Sequence, residues 1–180
     1  MSKLEEPREA SGGHRVSSRA PRAAAPGTIH ALQAALAAEH AAVYGYGVVG
    51  AYLTGSSRAT ATADWVAHQE ARDELEAVLR SSGSQPGPAA VAYRLPIPVR
   101  TPGEAVSLAV ILEDRIATAY LGLVALTTPA VRELGALQVR ASALRAAFWR
   151  GSTVAFPGLT AAALAIPQRP APDREASASP

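Results

Sequence analysis

Three observations predict an all-α fold, a bundle of four helices with a long connection between the second and the third. The 180-residue chain is 48% hydrophobic yet 5% aromatic, and about a quarter of it is Ala. That composition favours close-packed helices over a β-sandwich. Pro and Gly gather at a few points and leave four stretches of about 22–27 residues, each long enough for a helix of roughly 33–40 Å. Within each stretch the apolar residues recur every three or four positions, the period of a helix with one buried face.

The elements follow in order. Residues 1–27 are rich in Ser, Gly, Pro and charge and have no period; a disordered tail is expected there and again over 167–180, with the bundle over 28–166. The first helix starts at Thr28 as N-cap and ends at Thr54-Gly55, where Gly can turn left-handed. The second runs from Ser57 to Gly83. Gly83 to Arg100 holds Pro86, Pro88, Pro96 and Pro98, so it is extended. In that form it reaches ~55 Å, enough to run the length of a bundle as a crossover and leave helices two and three parallel. Thr101-Pro-Gly-Glu104 is a capping box that opens the third helix, which runs to about Thr127. Thr128-Pro129 opens the fourth, which closes at Arg150-Gly151. Ala155 to Ile166 adds a short apolar helix folded back on the rest.

Several function classes are excluded. With no Cys there is no disulfide, thiolate metal site or Cys nucleophile. The formal net charge is +2, and Thr28 to Arg150 holds ten basic and ten acidic residues. That balance is not the footprint of a nucleic-acid binder. The first ten residues lack the apolar stretch of a signal peptide. The apolar run Ala41 to Leu53 is too short for a bilayer, and Ala105 to Leu126 is broken by Glu113-Asp114-Arg115. A soluble cytoplasmic protein is expected, with no membrane and no nucleic acid among its partners.

Chemistry is concentrated on the core faces. The first helix carries Leu32, Leu36, Glu39, Val43, Tyr46, Gly50 and Leu53; the second Ala61, Trp65, His68, Arg72, Leu75 and Leu79. The third carries Val106, Ala109, Glu113, Ile116, Tyr120 and Leu123; the fourth Val131, Leu134, Gln138, Ala141, Arg145 and Phe148. In each, the polar residue falls near the middle of the stripe. Glu39 precedes Tyr46 by seven residues, as Glu113 precedes Tyr120. Counting from the turns sets Arg72 beside the level of Glu39, with His68 within a turn, and Arg140 and Arg145 beside Glu113. A buried carboxylate needs a cation or donors. Arg72 for Glu39 and Arg145 for Glu113 are the expected partners, because a guanidinium holds a carboxylate by two parallel bonds. His68 or Tyr46 would complete the bonds of Glu39. The alternative is a metal held by Glu39, His68 and Glu113. Gly45, Gly47 and Gly50 mark either a ligand cleft or close helix packing. His40, next to Glu39, is expected at the surface.

Two glutamates and a histidine at mid-height of such a bundle resemble the ferritin-like superfamily. Within it the chain is similar to the bacterial ferritin-like family called domain of unknown function 4439. The resemblance covers about residues 28–160. It rests on Leu-Ala-Ala-Glu-His-Ala-Ala-Val-Tyr at 36–44, on His68 with Arg72-Asp73, on Ala92-Tyr-Arg-Leu-Pro96 and on Leu112-Glu-Asp114. Phe148-Trp-Arg-Gly151 and Phe156-Pro-Gly-Leu159 complete it. It implies a ferritin-like bundle with a long crossover between helices two and three. Ferritin-like enzymes hold two metals with one Glu on each of two helices and Glu-x-x-His on each of the other two. Glu39, Glu113 and His68 match that set. Trp65 stands where the first Glu-x-x-His pair needs its Glu, and the fourth helix offers neither Glu nor His. The implied function is that of a binding or scaffold domain with a degenerate metal site and no cofactor, not an enzyme. Its buried polar core or ligand site comprises Glu39, Tyr46, His68, Arg72, Glu113, Tyr120 and Arg145. The alternative is a diverged oxidase that binds iron or manganese through Glu39, His68 and Glu113. The expected partner is a protein or a small molecule, a homodimer included.

Overall fold

The computed structural model describes residues 24–126 and 128–159, the side chain of Leu126 excepted. They form four helices, α1 (Pro26–Tyr52), α2 (Gly55–Ser81), α3 (Pro102–Leu126) and α4 (Pro129–Arg150), with no strand among the described residues. None of these helices is long and apolar enough to cross a membrane. The tails expected over 1–27 and 167–180 lie outside the described residues, except 24–27.

Pro and Gly set the helix ends. Pro26 occupies the first turn of α1, two residues ahead of the expected start. Its fixed φ and missing N–H suit that position. Thr28 is therefore inside the helix and buried. Gly55 does not close α1 as expected. With φ of 57° it opens α2, after Leu53 and Thr54 in extended conformation. Gly83 turns left-handed (φ 78°) just past α2, and its N–H donates to Arg80 O at 3.0 Å. At the start of α3 the capping box is complete. Thr101 N–H donates to Glu104 Oε2 at 2.9 Å and Glu104 N–H to Thr101 Oγ1 at 3.2 Å. Thr128 precedes Pro129 at the start of α4, but its side chain makes no capping bond. Gly151 closes α4 with φ of 74°. Residues 155–159 are turns and bends, not the start of the expected apolar helix; the rest of that segment, 160–166, lies outside the described residues. Gly158 ties residues 155–159 to α3, its carbonyl accepting from Thr118 Oγ1 at 2.7 Å.

Helix α1 packs against α2 and α3, and α3 against α4. Cross-helix contacts give the directions. Glu39 and Val43 of α1 meet His68 and Trp65 of α2, so that pair is antiparallel. Glu39 and Tyr46 meet Tyr120 and Glu113 of α3, again antiparallel. Gly45 lets α1 approach α3 closely: a Cβ there would stand 2.6 Å from Leu112 Cδ1. The 82–101 connection touches α1 at successive levels. Gln33 donates to Gln85 O, the His40 ring bonds Gly87 O, Tyr44 meets the Tyr93 ring, and Val99 is buried beyond them with Val49 and Leu53. His40, expected at the surface, is thus half-buried against this segment.

The apolar core is in two parts. Leu32, Leu36, Leu75, Leu79, Ile116 and Leu123 fill one end, and Val49, Leu53, Ala105, Leu108, Leu112 and Trp149 the other. Between them lie Glu39, His68, Glu113 and Ser142, all at 0% exposure.

Candidate functional site

Two helices supply the carboxylates of this layer. Antiparallel packing of α1 on α3, with the same Glu-to-Tyr spacing of seven on each, sets Glu39 level with Tyr120 and Tyr46 level with Glu113. The hydroxyl of Tyr120 donates to Glu39 Oε1 at 2.8 Å, and that of Tyr46 to Glu113 Oε1 at 2.5 Å. Each helix's tyrosine therefore serves the other's glutamate. Of the two donors expected for Glu39, His68 or Tyr46, the antiparallel register leaves it His68 and sends Tyr46 to Glu113.

His68 of α2 bridges the two. Its Nδ1 lies 2.7 Å from Glu39 Oε2 and its Nε2 3.0 Å from Glu113 Oε1. Both ring nitrogens face carboxylate oxygens, and only the imidazolium donates from both. Burial by itself would lower the pKa of His68. The hydrogen bonds and charges of Glu113 and Glu39 outweigh it and raise the pKa to about 9. Arg145 of α4 adds a second cation, donating from Nε to Glu113 Oε1 at 3.0 Å. Burial opposes ionisation of Glu113, but His68, Arg145 and Tyr46 overcome it and hold the carboxyl below its usual range. Both tyrosines are pushed far above the ordinary phenol range, first by burial and then by the neighbouring carboxylates.

Asp64 extends the layer and was not foreseen. It is 9% exposed and accepts from Trp149 Nε1 at 2.8 Å through Oδ2. Its pKa is raised, chiefly by burial. Tyr46 OH stands 3.4 Å from the same oxygen. The single phenol proton serves the shorter contact to Glu113, so Asp64 is a polar neighbour rather than its acceptor. Ser142 of α4 sits beside Arg145, its Oγ 3.4 Å from Nη2. The signal for Asp64 was its place four residues before His68, on the same helical face. Among the described residues, Glu113 Oε2 is the one buried side-chain oxygen without a hydrogen-bond partner.

Arg72 does not belong to this constellation. The level was right, but Ala71 takes the core position at 4% exposure. One residue on, the helix has turned about 100°, and Arg72 pairs with the exposed Asp73 at 2.7 Å. Replacing Arg72 by Met is therefore expected to change stability by less than ~1 kcal/mol in urea denaturation, as for other exposed pairs. A loss of several kcal/mol would tie Arg72 to the buried layer after all. Trp65 also leaves the core, at 37% exposure, with Nε1 donating to Val43 O at 3.0 Å.

Among the described residues no group of three His, Asp or Glu side chains is arranged to hold a metal ion. Among curated proteins none matches the chain. The crystal structure of a conserved hypothetical protein, rv2844, from Mycobacterium tuberculosis is similar, with 32% sequence identity and a TM-score of 0.68. The likeness covers 69% of this chain and 96% of that one. The model of one protein family, described as domain of unknown function (DUF4439), matches residues 31–161. That match spans most of the chain, with most of α1 and all of α2, α3 and α4, and the chain belongs to the DUF4439 family.

Proposed function

We propose that the chain is a ferritin-like bundle whose mid-height centre is an ionic lattice instead of a di-metal site, and that it works as a cytoplasmic binding or scaffold domain rather than as an oxidase. The antiparallel pairing of α1 with both α2 and α3 supports a bundle with α2 and α3 parallel. The contacts of residues 85, 87, 93 and 99 along α1 support a long crossover between them.

One observation carries the metal-free reading: both nitrogens of His68 are taken by carboxylates. A ligand histidine keeps one nitrogen bare for the metal. Here the imidazolium is itself the cation between Glu39 and Glu113. The rest of the donor set fits a dication no better. Glu39 has both oxygens engaged, by Tyr120 and His68. Glu113 Oε1 receives Tyr46, His68 and Arg145, which leaves only Oε2 free. One oxygen is a single donor where a divalent ion wants about four or more. The guanidinium of Arg145 keeps its charge at any working pH and repels such an ion.

Elemental analysis of the protein purified without added metal tests this. No stoichiometric iron, manganese or zinc is expected. About one equivalent of metal, lost on replacing Glu39 or His68 by Ala, would restore the oxidase reading.

A further inference from the structure

A cleft that adjoins the ionic layer at Tyr46 carries a second site. It lies between the last turns of α1 and the first three turns of α2, with a volume of ≈ 310 Å³. That is within the range of small-molecule sites. Tyr46 closes its inner end, Gly47 and Gly50 form one wall, and Arg58, Thr62 and Trp65 form the other.

The α1 wall is bare backbone. Gly lowers helix stability relative to Ala, so each Gly in a helix needs a reason. Gly45 has one in Leu112. Gly47 and Gly50 have no packing reason: a Cβ at either would meet nothing within 4 Å. What they do is keep the wall flat and the cleft open. On the α2 wall the Trp65 indole is fixed, because its N–H is committed to Val43 O. A ring held in advance offers its face at little entropic cost.

The charge in the cleft has one sign. Arg58 is exposed in the first turns of α2 and makes no ion pair among the described residues. The first turn of α2 holds no acidic residue, so the positive end of the helix dipole adds to Arg58. Tyr46 is neutral, its hydroxyl donating to Glu113. Thr62 donates to Arg58 O. Arg58 and Trp65 are seven residues apart, which is ~10 Å along the helix.

We propose that this cleft binds a small planar aromatic carboxylate, its ring between Trp65 and the Gly47–Gly50 backbone and its carboxylate on the Arg58 guanidinium. A guanidinium and a carboxylate pair by two parallel hydrogen bonds. The site goes beyond the scaffold reading and stands or falls separately from it, because no group of the cleft is a candidate metal ligand.

Titration calorimetry of the full chain with 2-naphthoate tests it. Saturable one-site binding is expected. Binding should weaken about tenfold or more with the neutral 2-naphthalenemethanol, and equally with Arg58→Gln. In Gly50→Leu it should disappear while the melting temperature holds or rises, since Leu is the better helix former and its Cβ enters open space. No saturation by about 1 mM 2-naphthoate would overturn the proposal. So would equal affinity for the alcohol, or undiminished binding by Arg58→Gln or by a folded Gly50→Leu.

Discussion

Replacing His68 by Leu is expected to destabilise the chain by ~3–5 kcal/mol, a large fraction of the ~5–15 kcal/mol that holds an ordinary domain together. The two side chains are close in size, so the loss is electrostatic rather than a cavity effect. Glu39 would keep only Tyr120 as a donor, and at 0% exposure no water replaces the imidazolium. Glu113 would keep Tyr46 and Arg145. The uncompensated charge therefore falls on Glu39, which must either remain ionised without a cation or take up a proton. Urea denaturation at pH 7 reads the effect. The control removes the stranded groups as well: His68→Leu with Glu39→Leu and Tyr120→Phe leaves no orphaned donor or acceptor on that side. An apolar replacement of a buried ionic group is often neutral or stabilising, so the triple variant should regain half or more of the loss. A cost below ~1 kcal/mol for His68→Leu alone would mean that the carboxylates do not depend on this histidine.

The contrast between Arg72 and His68 shows what the sequence carries and what it leaves out. The later helix limits were legible because Gly83, the Thr101–Glu104 box, Pro129 and Gly151 each impose a backbone geometry locally, whereas Pro26 set the start of α1 ahead of the Thr28 cap that was expected. The stripes of α1 and α3 were legible because Leu and Val mark them against polar neighbours. On α4 the assigned face was off by one residue, whereas on α2 it was right at Ala61, His68, Leu75 and Leu79 and one residue off at Trp65 and Arg72. There the buried positions are Ala61, Asp64, His68, Ala71, Leu75 and Leu79 on α2, and Gly135, Ser142, Ala146 and Trp149 on α4. Ala separates inside from outside poorly, so the bulky Trp65 and Phe148 drew the stripe toward themselves. Phe148 is in fact 62% exposed. A shift of one residue is about 100° of rotation, which is what exchanges Arg72 for Ala71 and brings in Asp64 and Trp149. The crossed Glu–Tyr pairs needed the direction of α3 against α1, a tertiary fact that spacing within one helix does not contain.

Stability should fall as pH rises from about 6.5 to about 9, and this limb belongs to His68. The folded pKa of about 9 lies above the unfolded value of 6.5. The proton is therefore bound more tightly in the folded state. Its contribution is complete below pH 6.5, where both states carry the proton, and is lost as pH climbs through 9. The gap amounts to roughly 3 kcal/mol, with a slope near 1.4 kcal/mol per pH unit in between. The shifted groups around His68 act with their own signs. Glu113, held below its usual range, contributes above that range and loses its effect as pH falls. Asp64, raised chiefly by burial, acts in the opposite sense. Tyr46 and Tyr120 are pushed above the ordinary phenol range, and Arg145 stays charged throughout. The decline between pH 6.5 and 9 is assigned to the imidazolium, whose folded pKa of about 9 closes that interval. Urea denaturation at half-unit steps over that interval should show the decline in the native chain, and a much flatter profile in the His68→Leu, Glu39→Leu, Tyr120→Phe triple variant. A native profile that is flat there would sink the bridging imidazolium, because a neutral His68 in the folded chain leaves no tightly held proton to lose.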